Sequence, residues 1–402
     1  MTRKRARLLL SVLSSIWLGA GLMLGLTGLV LADDESSFSL QGFGTLGAAR
    51  TTTREARFVR DLTQATGASN RWDGRIDSLF GLQANWRLSP ELELVAQGVS
   101  RFRYDQTYTP ELSWAFLKYD PNPQLSLRVG RLGTEFFMMA DSRMVGYSYL
   151  PVRPPGDFFW YLPFLGIDGA DVAMIFPLGE DVLRGKLYYG VSDASIPLAD
   201  KQWKIDGSQM TGGYLDYQSG PWLFRVSYAN IRFSNDMPVD DVLGSYLPAN
   251  MAAQAKDFLA AANTRSHYYS IGVVYDRGPW QIQLMLNDIE QGSQIFQSSK
   301  GGYILAGYRI GSVTPYVGYS RIFSDSRGNT LNAVVAKIMA DSHVNQYTTI
   351  LGARWDVARN VALKAQWDGI HGQRDSIFPF RLETDTFKGK MDVFSVTMDF
   401  VF

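Results

Sequence analysis

His267, His343 and His371 are the only three histidines in a chain of 402 residues. With Ser266, Ser342 and Asp375 nearby in sequence, they are the residues from which a Ser-His-acid hydrolase could be assembled. Such chemistry needs a serine held on a sharp elbow and a base oriented by an acid. The chain has no G-x-S-x-G elbow, no H-E-x-x-H pair and no phosphate-cradling glycine loop. It also has no Cys, which removes a thiol nucleophile, a disulfide framework and Cys-ligated zinc or iron–sulfur sites. The expectation is a protein that is not an enzyme and needs no cofactor or metal. What the chain does carry is fixed charge, 39 Lys+Arg against 39 Asp+Glu. That zero balance argues against a nucleic-acid partner, which would require a basic excess. What remains is either a large soluble β protein or a membrane β-barrel, in which fixed charge on a wet face could select ions by charge.

Selection by charge needs a wall that presents one side-chain face to water, and the chain past residue 36 alternates accordingly. Ile76, Ser78, Phe80, Leu82, Ala84 and Trp86 share one parity; Arg75, Asp77, Gln83, Asn85 and Arg87 share the other. Trp280, Ile282, Leu284 and Leu286 oppose Gln281, Gln283 and Asn287, and Tyr347, Thr349, Leu351, Ala353 and Trp355 oppose Thr348, Gly352, Arg354 and Asp356. Period-2 alternation gives each strand one wet and one apolar face. The wet parity carries a basic wall of Arg75, Arg101, Arg103, Arg128, Arg184, Arg225, Arg309 and Arg354, with Lys186 and Lys364, and fewer acids, Asp77, Glu93, Asp216 and Asp368 among them. Alternation from Arg128 puts Arg131 on the outer face unless a bulge resets the strand.

The connections separate a barrel from a sandwich. Seven tight joints, at 88–91, 120–123, 178–181, 219–221, 277–279, 310–312 and 357–360, are rich in turn formers and lie between alternating runs. Between them fall eight longer segments, roughly 50–72, 105–110, 133–167, 193–208, 234–265, 290–300, 324–343 and 371–389. Short turns and long loops in strict alternation imply 16 antiparallel strands with both ends on the short-turn side, so that the first and last can pair and close the sheet. Phe394, Val396, Met398, Phe400 and Phe402 form an apolar row opposite Ser395, Thr397 and Asp399 on the last strand. That row gains from facing lipid and nothing from facing water.

The N-terminus reads as an export signal. Arg3, Lys4, Arg5 and Arg7 precede an uncharged run from Leu8 to Ala32 that ends in the small-x-small spacing of Val30-Leu31-Ala32. Cleavage there leaves residues 33–402 as one barrel domain with 35 basic and 39 acidic side chains, a net charge of −4. The absence of Cys suits an oxidising compartment.

Together the export signal, sixteen strands, long third loop and terminal aromatic strand resemble the Gram-negative outer-membrane porins. Phe80-Gly81-Leu82 and Leu127-Arg128-Val129-Gly130-Arg131 resemble the matching porin strands. The resemblance implies a closed all-β transmembrane barrel in outer-membrane lipid, often a homotrimer, with short periplasmic turns and long external loops. It also implies a third loop folded inward to narrow the pore, and a terminal strand, here Phe400 and Phe402, read by the barrel-assembly machinery. Segment 133–167 fits the constriction role, with acids Glu135, Asp141 and Asp157 expected to face the arginine wall and a dense aromatic set expected to rest on the barrel. Two features depart from the commonest pattern: a short second loop, where trimeric porins latch a neighbour, and helix-like stripes at 251–262 and 331–339. The function implied is passive diffusion of small hydrophilic solutes across the outer membrane. Alternatives are a substrate-selective channel lidded by those helices, a rim-located hydrolase, and an adhesive barrel.

Overall fold

The computed structural model describes residues 37–160, 162–198, 201–325, 331–340, 342–373, 376, 380–381 and 383–402. The export segment 1–32 and Asp375 lie outside these residues. Sixteen strands form the sheet: β1 (Phe38–Thr51), β2 (Leu79–Arg87), β3 (Leu92–Arg101), β4 (Glu111–Asn122), β5 (Leu125–Gly133), β6 (Gly166–Leu178), β7 (Asp181–Val191) and β8 (Gln209–Ser219) make the first half. The second half is β9 (Trp222–Arg232), β10 (Arg265–Arg277), β11 (Trp280–Gln291), β12 (Ser299–Tyr308), β13 (Val313–Ser324), β14 (Asn345–Ala358), β15 (Val361–Gly372) and β16 (Lys390–Val401). Each pairs antiparallel with its sequence neighbours, and β1 pairs with β16 to close the barrel. The sixteen antiparallel strands and their closure are those that the alternation of connection lengths implies.

The two parities separate as period 2 requires. Exposed outward residues include Leu46, Phe80, Leu82, Trp86, Leu94, Val129, Leu187, Leu215, Val226, Ile271, Leu286, Ile304, Val317, Leu351, Trp355 and Val396, an apolar belt around the wall. A surface of this kind is stable only against lipid. Local irregularities reset the parity at defined points. At a bulge in β4, Trp114 faces Gln97 while Leu112 faces Gly98, so Ser113 is extra and the residues beyond it change face. No such reset intervenes at Arg131, which stays on the outer side and pairs with Asp168 and Asp193, each at 2.7 Å.

The seam between β1 and β16 shows how the terminal aromatics are used. The outward rings of Phe400 and Phe402 lie over Gly44 and Gly42, where any Cβ would overlap the rings. Gly42 and Phe402 also exchange both backbone hydrogen bonds at 2.9 Å. Glycine is required here by close approach, and the aromatic covers the backbone it leaves bare.

Among the described residues, the external loops carry helices at Asp240–Tyr246, Ala249–Phe258 and Ala333–Ala340. The expected apolar stripes are turned inward in part: Ala255, Leu259, Val335 and Met339 are buried and belong to the main apolar core, while Met251 and Leu331 are exposed. Loops 1 and 8 are joined by a two-stranded ladder, Arg57–Phe58 with Phe380–Arg381. The main core lies between the barrel's inner wall and the third loop and continues outward under the external loops.

Candidate functional site: the loop-filled lumen

Loop 3, residues 134–165, folds into the barrel. Its aromatic residues are there, as their abundance in a loop requires: Phe136 and Phe137 are 0% exposed, and Phe158, Phe159, Trp160 and Phe164 are buried. Phe136 stacks near Tyr188 of β7 and Tyr268 of β10, at 6.5 and 5.2 Å between ring centroids. Phe158 meets Tyr303 of β12 edge-on at 5.3 Å. Such pairs add to the area they bury.

The far side of the loop is held by charge. Arg153 donates from Nε and Nη2 to the Asp77 carboxylate at 3.0 and 2.7 Å, from Nη1 to Asp368 at 2.8 Å, and to Ser395 at 2.5 Å. Lys364 of β15 donates from Nζ to the carbonyls of Gly146, Tyr149 and Pro151 at 2.7, 2.7 and 2.9 Å. It also pairs with Asp399 of β16 at 3.1 Å, both side chains 0% exposed. Asp399 in turn accepts from Thr45 of β1 at 2.5 Å. Buried charges are tolerated when each is paired and hydrogen-bonded, and here each is.

A second network lies where loop 3 leaves β5. Arg128 donates to Asp171 of β6 at 2.5–3.0 Å and lies 3.4 Å from Glu135, which also receives Lys186 of β7. Arg225 of β9 pairs with Asp216 of β8 at 2.6 Å, and its guanidinium lies over the Tyr214 ring at 3.7 Å.

The expected basic wall is therefore distributed in three ways. Arg128, Arg225 and Arg354 are on inward strand positions with carboxylate partners, Asp356 for Arg354 at 2.9 Å; Arg354 also donates to the carbonyls of Tyr147 and Tyr149. Arg184 shares the inward parity of Lys186 on β7 and is exposed. Arg101 ends β3 and bonds Asp61 at 3.2 Å and Thr63 at 2.8 Å, with Glu111 3.5 Å away; Arg103 lies beyond the strand and pairs with Glu111 at 2.8 Å.

Arg75 and Arg309 depart from the strand positions given by alternation. Arg75 belongs to loop 1, because Ser78 bonds the Gly74 carbonyl and the Gly47 amide and delays the start of β2 to Leu79. It pairs with Asp73 at 2.6 Å. Arg309 lies in the turn after β12, paired with Asp276 at 2.7 Å.

Among the expected loop acids, Glu135 meets the arginine wall. Asp141 accepts the Ser142 amide at 2.8 Å. Asp157 accepts from Ser320 of β13 at 2.6 Å and Gln346 of β14 at 2.5 Å. Burial holds the carboxyls of Asp141 and Asp157 above the usual carboxylate range, that of Asp157 against the opposing pull of its hydrogen bonds.

Sequence reasoning did not single out Arg60, Asp171 or Asp399 as site residues. Asp399 sits on the wet parity of the terminal strand, where a charge opposite an aromatic row was the available signal. Arg60 carries no parity signal, because it belongs to a loop; it donates to the Tyr149 hydroxyl at 3.0 Å and lies 3.8 Å from Asp77.

Among the described residues, His267 and His343 have no serine and carboxylate placed together around them. Ser266 points inward and His267 outward on β10, where Tyr228 bonds the imidazole at 2.8 Å. Ser342 bonds the Met339 carbonyl at 2.9 Å. His343 does meet Ser324 at 2.9 Å, but its other nitrogen faces the Gln373 amide rather than a carboxylate.

No family model matches the chain, and no curated protein matches it in sequence. Solved structures do match in shape. The chain is similar to the outer-membrane OmpT of Vibrio cholerae, at 10% identity and TM-score 0.53, covering 92% of this chain and 99% of that one. It is similar to Salmonella typhi OmpF in complex with daunomycin, at 11% identity and TM-score 0.57 with the same coverage, and to the anion-selective porin of Comamonas acidovorans, at 14% identity and TM-score 0.52 over 92% and 100%. At such identities the likeness is one of architecture: the chain has the sixteen-stranded barrel fold of the outer-membrane porins.

Proposed function

We propose that the protein is an outer-membrane porin, a water-filled channel for passive diffusion of small hydrophilic solutes and ions. The observation that carries this reading is the third loop lying inside a closed barrel with an apolar outer belt, between walls built of paired charges. Size selection then belongs to loop 3, and charge preference to the arginines at its outer and inner faces. Removal of residues 1–32 on export, and recognition of the Phe400 and Phe402 strand by the barrel-assembly machinery, are parts of the same reading. Purified protein in planar bilayers should give stepwise single-channel currents, and cell fractions should place it in the outer membrane. A full-length chain in the inner membrane, or no current at any voltage, would overturn the reading.

Assembly as a homotrimer is supported by one patch of the outer wall. Arg131, Asp168 and Asp193 form an ion cluster beside a shallow depression of about 680 Å³ lined by Ala115, Gly130, Gly169, Ala170 and Tyr189. Charge on a lipid face is costly, and a neighbouring copy would cover it. Chemical cross-linking in membranes should trap trimers; monomers alone would refute the assembly and leave the channel reading intact.

A further inference from the structure

We propose that the short-turn end of loop 3 carries a binding site for the head group of a small amino acid, a carboxylate with an ammonium on the next carbon. Such a site rests on the channel reading above and gives the channel a solute class. Loop 3 runs to that end of the barrel: the Tyr147 hydroxyl donates to the Arg359 carbonyl, in the turn between β14 and β15, at 2.8 Å. Beside it lies a partly enclosed cavity of about 60 Å³, walled by Ser148 and Leu150 of the loop, Gln281 and Gln283 of β11, Leu305 of β12 and Arg354 of β14. That is the liquid share of about two waters, so the cavity takes two adjacent polar groups and leaves the rest of a solute in the lumen. Leu150 can lie on the wall because residue 307 is glycine; a Cβ there would be 2.5 Å from Leu150 Cδ2.

The unused atoms of this cavity are of two kinds. Arg354 spends Nε on Asp356 and Nη1 on the carbonyls of Tyr147 and Tyr149, which leaves Nη2 without a partner among the described residues. Gln281 donates from Nε2 to Asp276 at 3.1 Å, which orients the amide and makes Oε1 the atom left over. The Oε1 of Gln283 also has no partner among the described residues, its Nε2 lying 3.8 Å from Met139 Sδ. Ser148 donates its proton to the Val145 carbonyl at 2.8 Å and keeps its lone pairs for accepting. The three unpartnered atoms remain open to water, so a ligand reaches them without breaking a bond of the protein. A permanent cation thus shares the cavity with amide oxygens, one of them polarised by the Asp276 carboxylate through its own N–H. A plain carboxylate satisfies Arg354 and turns its other oxygen on the amide lone pairs. A plain alkylammonium satisfies the amides and meets the guanidinium. A zwitterion matches both, with its carboxylate on Nη2 and its ammonium on the two Oε1 atoms. Asp356 and Asp276 offset Arg354 and Arg309, so the surroundings suit a ligand without net charge. Leu150 and Leu305 offer a short apolar side chain its contact.

L-alanine, propionate and ethylamine share one carbon frame and test the match group by group. Saturation-transfer NMR on the whole barrel in lipid nanodiscs should show transfer to L-alanine, bound about tenfold or more tighter than either analogue, since each analogue lacks one of the two charge-assisted bonds. Gln281→Leu removes an acceptor whose side chain makes no hydrogen bond to loop 3. It should weaken L-alanine about tenfold while the folded barrel and its conductance persist. Gln283→Glu adds charge where the ammonium docks and should bind ethylamine more tightly than the parent does, a gain that misfolding cannot produce. The site is refuted if propionate or ethylamine binds the parent as well as L-alanine, if no transfer reaches L-alanine, or if either substitution leaves its affinity unchanged. Stepwise current in planar bilayers without L-alanine binding removes the site and spares the channel. L-alanine binding to a barrel that passes no current removes the channel reading and leaves the site.

Discussion

Arg153 is the side chain on which the seating of loop 3 depends most, because it reaches two carboxylates on opposite sides of the barrel seam. Arg153→Met keeps much of its volume and leaves Asp77 and Asp368 buried without their cation. Removing one partner of a buried pair costs about 3–5 kcal/mol, so the variant should melt earlier in detergent and show noisier, larger currents; an unchanged melting curve would show that the pair is not buried in solution. Asp157 gives a pH test with a definite sign. Its folded carboxyl titrates above the ordinary 3.8, raised by burial and partly opposed by Ser320, Gln346 and Thr348. The folded state therefore holds that proton more tightly than the unfolded state, and stability falls as pH rises from 3.8 through the folded value. Asp157→Asn removes this loss. It should melt above the parent near pH ~7 and converge with it in acid, while equal melting at both pH values would count against a buried carboxylate. Alternation puts Arg128, Lys186, Arg225 and Arg354 on the inward parity of their strands, since period 2 is a local property. Their partners were not legible, because Arg153 finds Asp77 and Asp368 across 76 and 215 residues of chain.

Turn chemistry made the strands readable: glycines at 179, 220, 278 and 311 adopt positive φ in tight joints, and each joint leaves a long loop as its only alternative. What turns do not encode is where a loop starts, so Arg75 falls to loop 1 and Arg103 to loop 2. The β1–β16 seam is the element whose residues do the most for closure. Gly44→Val would force Phe400 off the backbone it covers, and loss of Phe402 would remove both a ring and the paired hydrogen bonds at Gly42. Each half-buried aromatic so displaced forfeits part of the about 1.5–3 kcal/mol that full burial is worth, at the edge pair on which closure depends. Both variants should lower the yield of heat-resistant folded barrel well below that of Thr397→Ala, which changes the inner face of the same strand. Equal yields from the three would mean that the outward row plays no part in closing the sheet.

Across the molecule, charge is arranged as two balanced networks and one outer cluster, and ion preference follows from which of them the permeating ion meets unpaired. Below loop 3, Arg128 and Lys186 stand against Asp171 and Glu135, and Arg225 against Asp216. These fields largely cancel. At the outer end, Arg101 and Arg103 share Glu111, with Asp61 on Arg101 alone, while Arg60 and Arg143 lie close by; Arg143 donates to the carbonyls of Ala140, Leu162 and Phe164. Burial lowers the Arg143 guanidinium to about 10, still charged at neutral pH. The outer cluster thus keeps a positive excess. Charges about 4 Å apart interact by roughly 1 kcal/mol in bulk water and about 4 kcal/mol at an effective dielectric near 20, so a mouth of intermediate polarity can bias ions severalfold without binding them. The −4 of residues 33–402 opposes this only weakly, since much of it lies on loops and is screened within about 8 Å at physiological salt. Weak anion preference is expected. Arg101→Ala with Arg103→Ala leaves Glu111 and Asp61 without those partners, so the reversal potential in a salt gradient should move toward cations and conductance should rise slightly. Lys186→Ala, which uncovers Glu135 beneath the loop, should move it less while loop 3 stays seated. An unmoved reversal potential in the outer double variant would take these arginines out of the ion path.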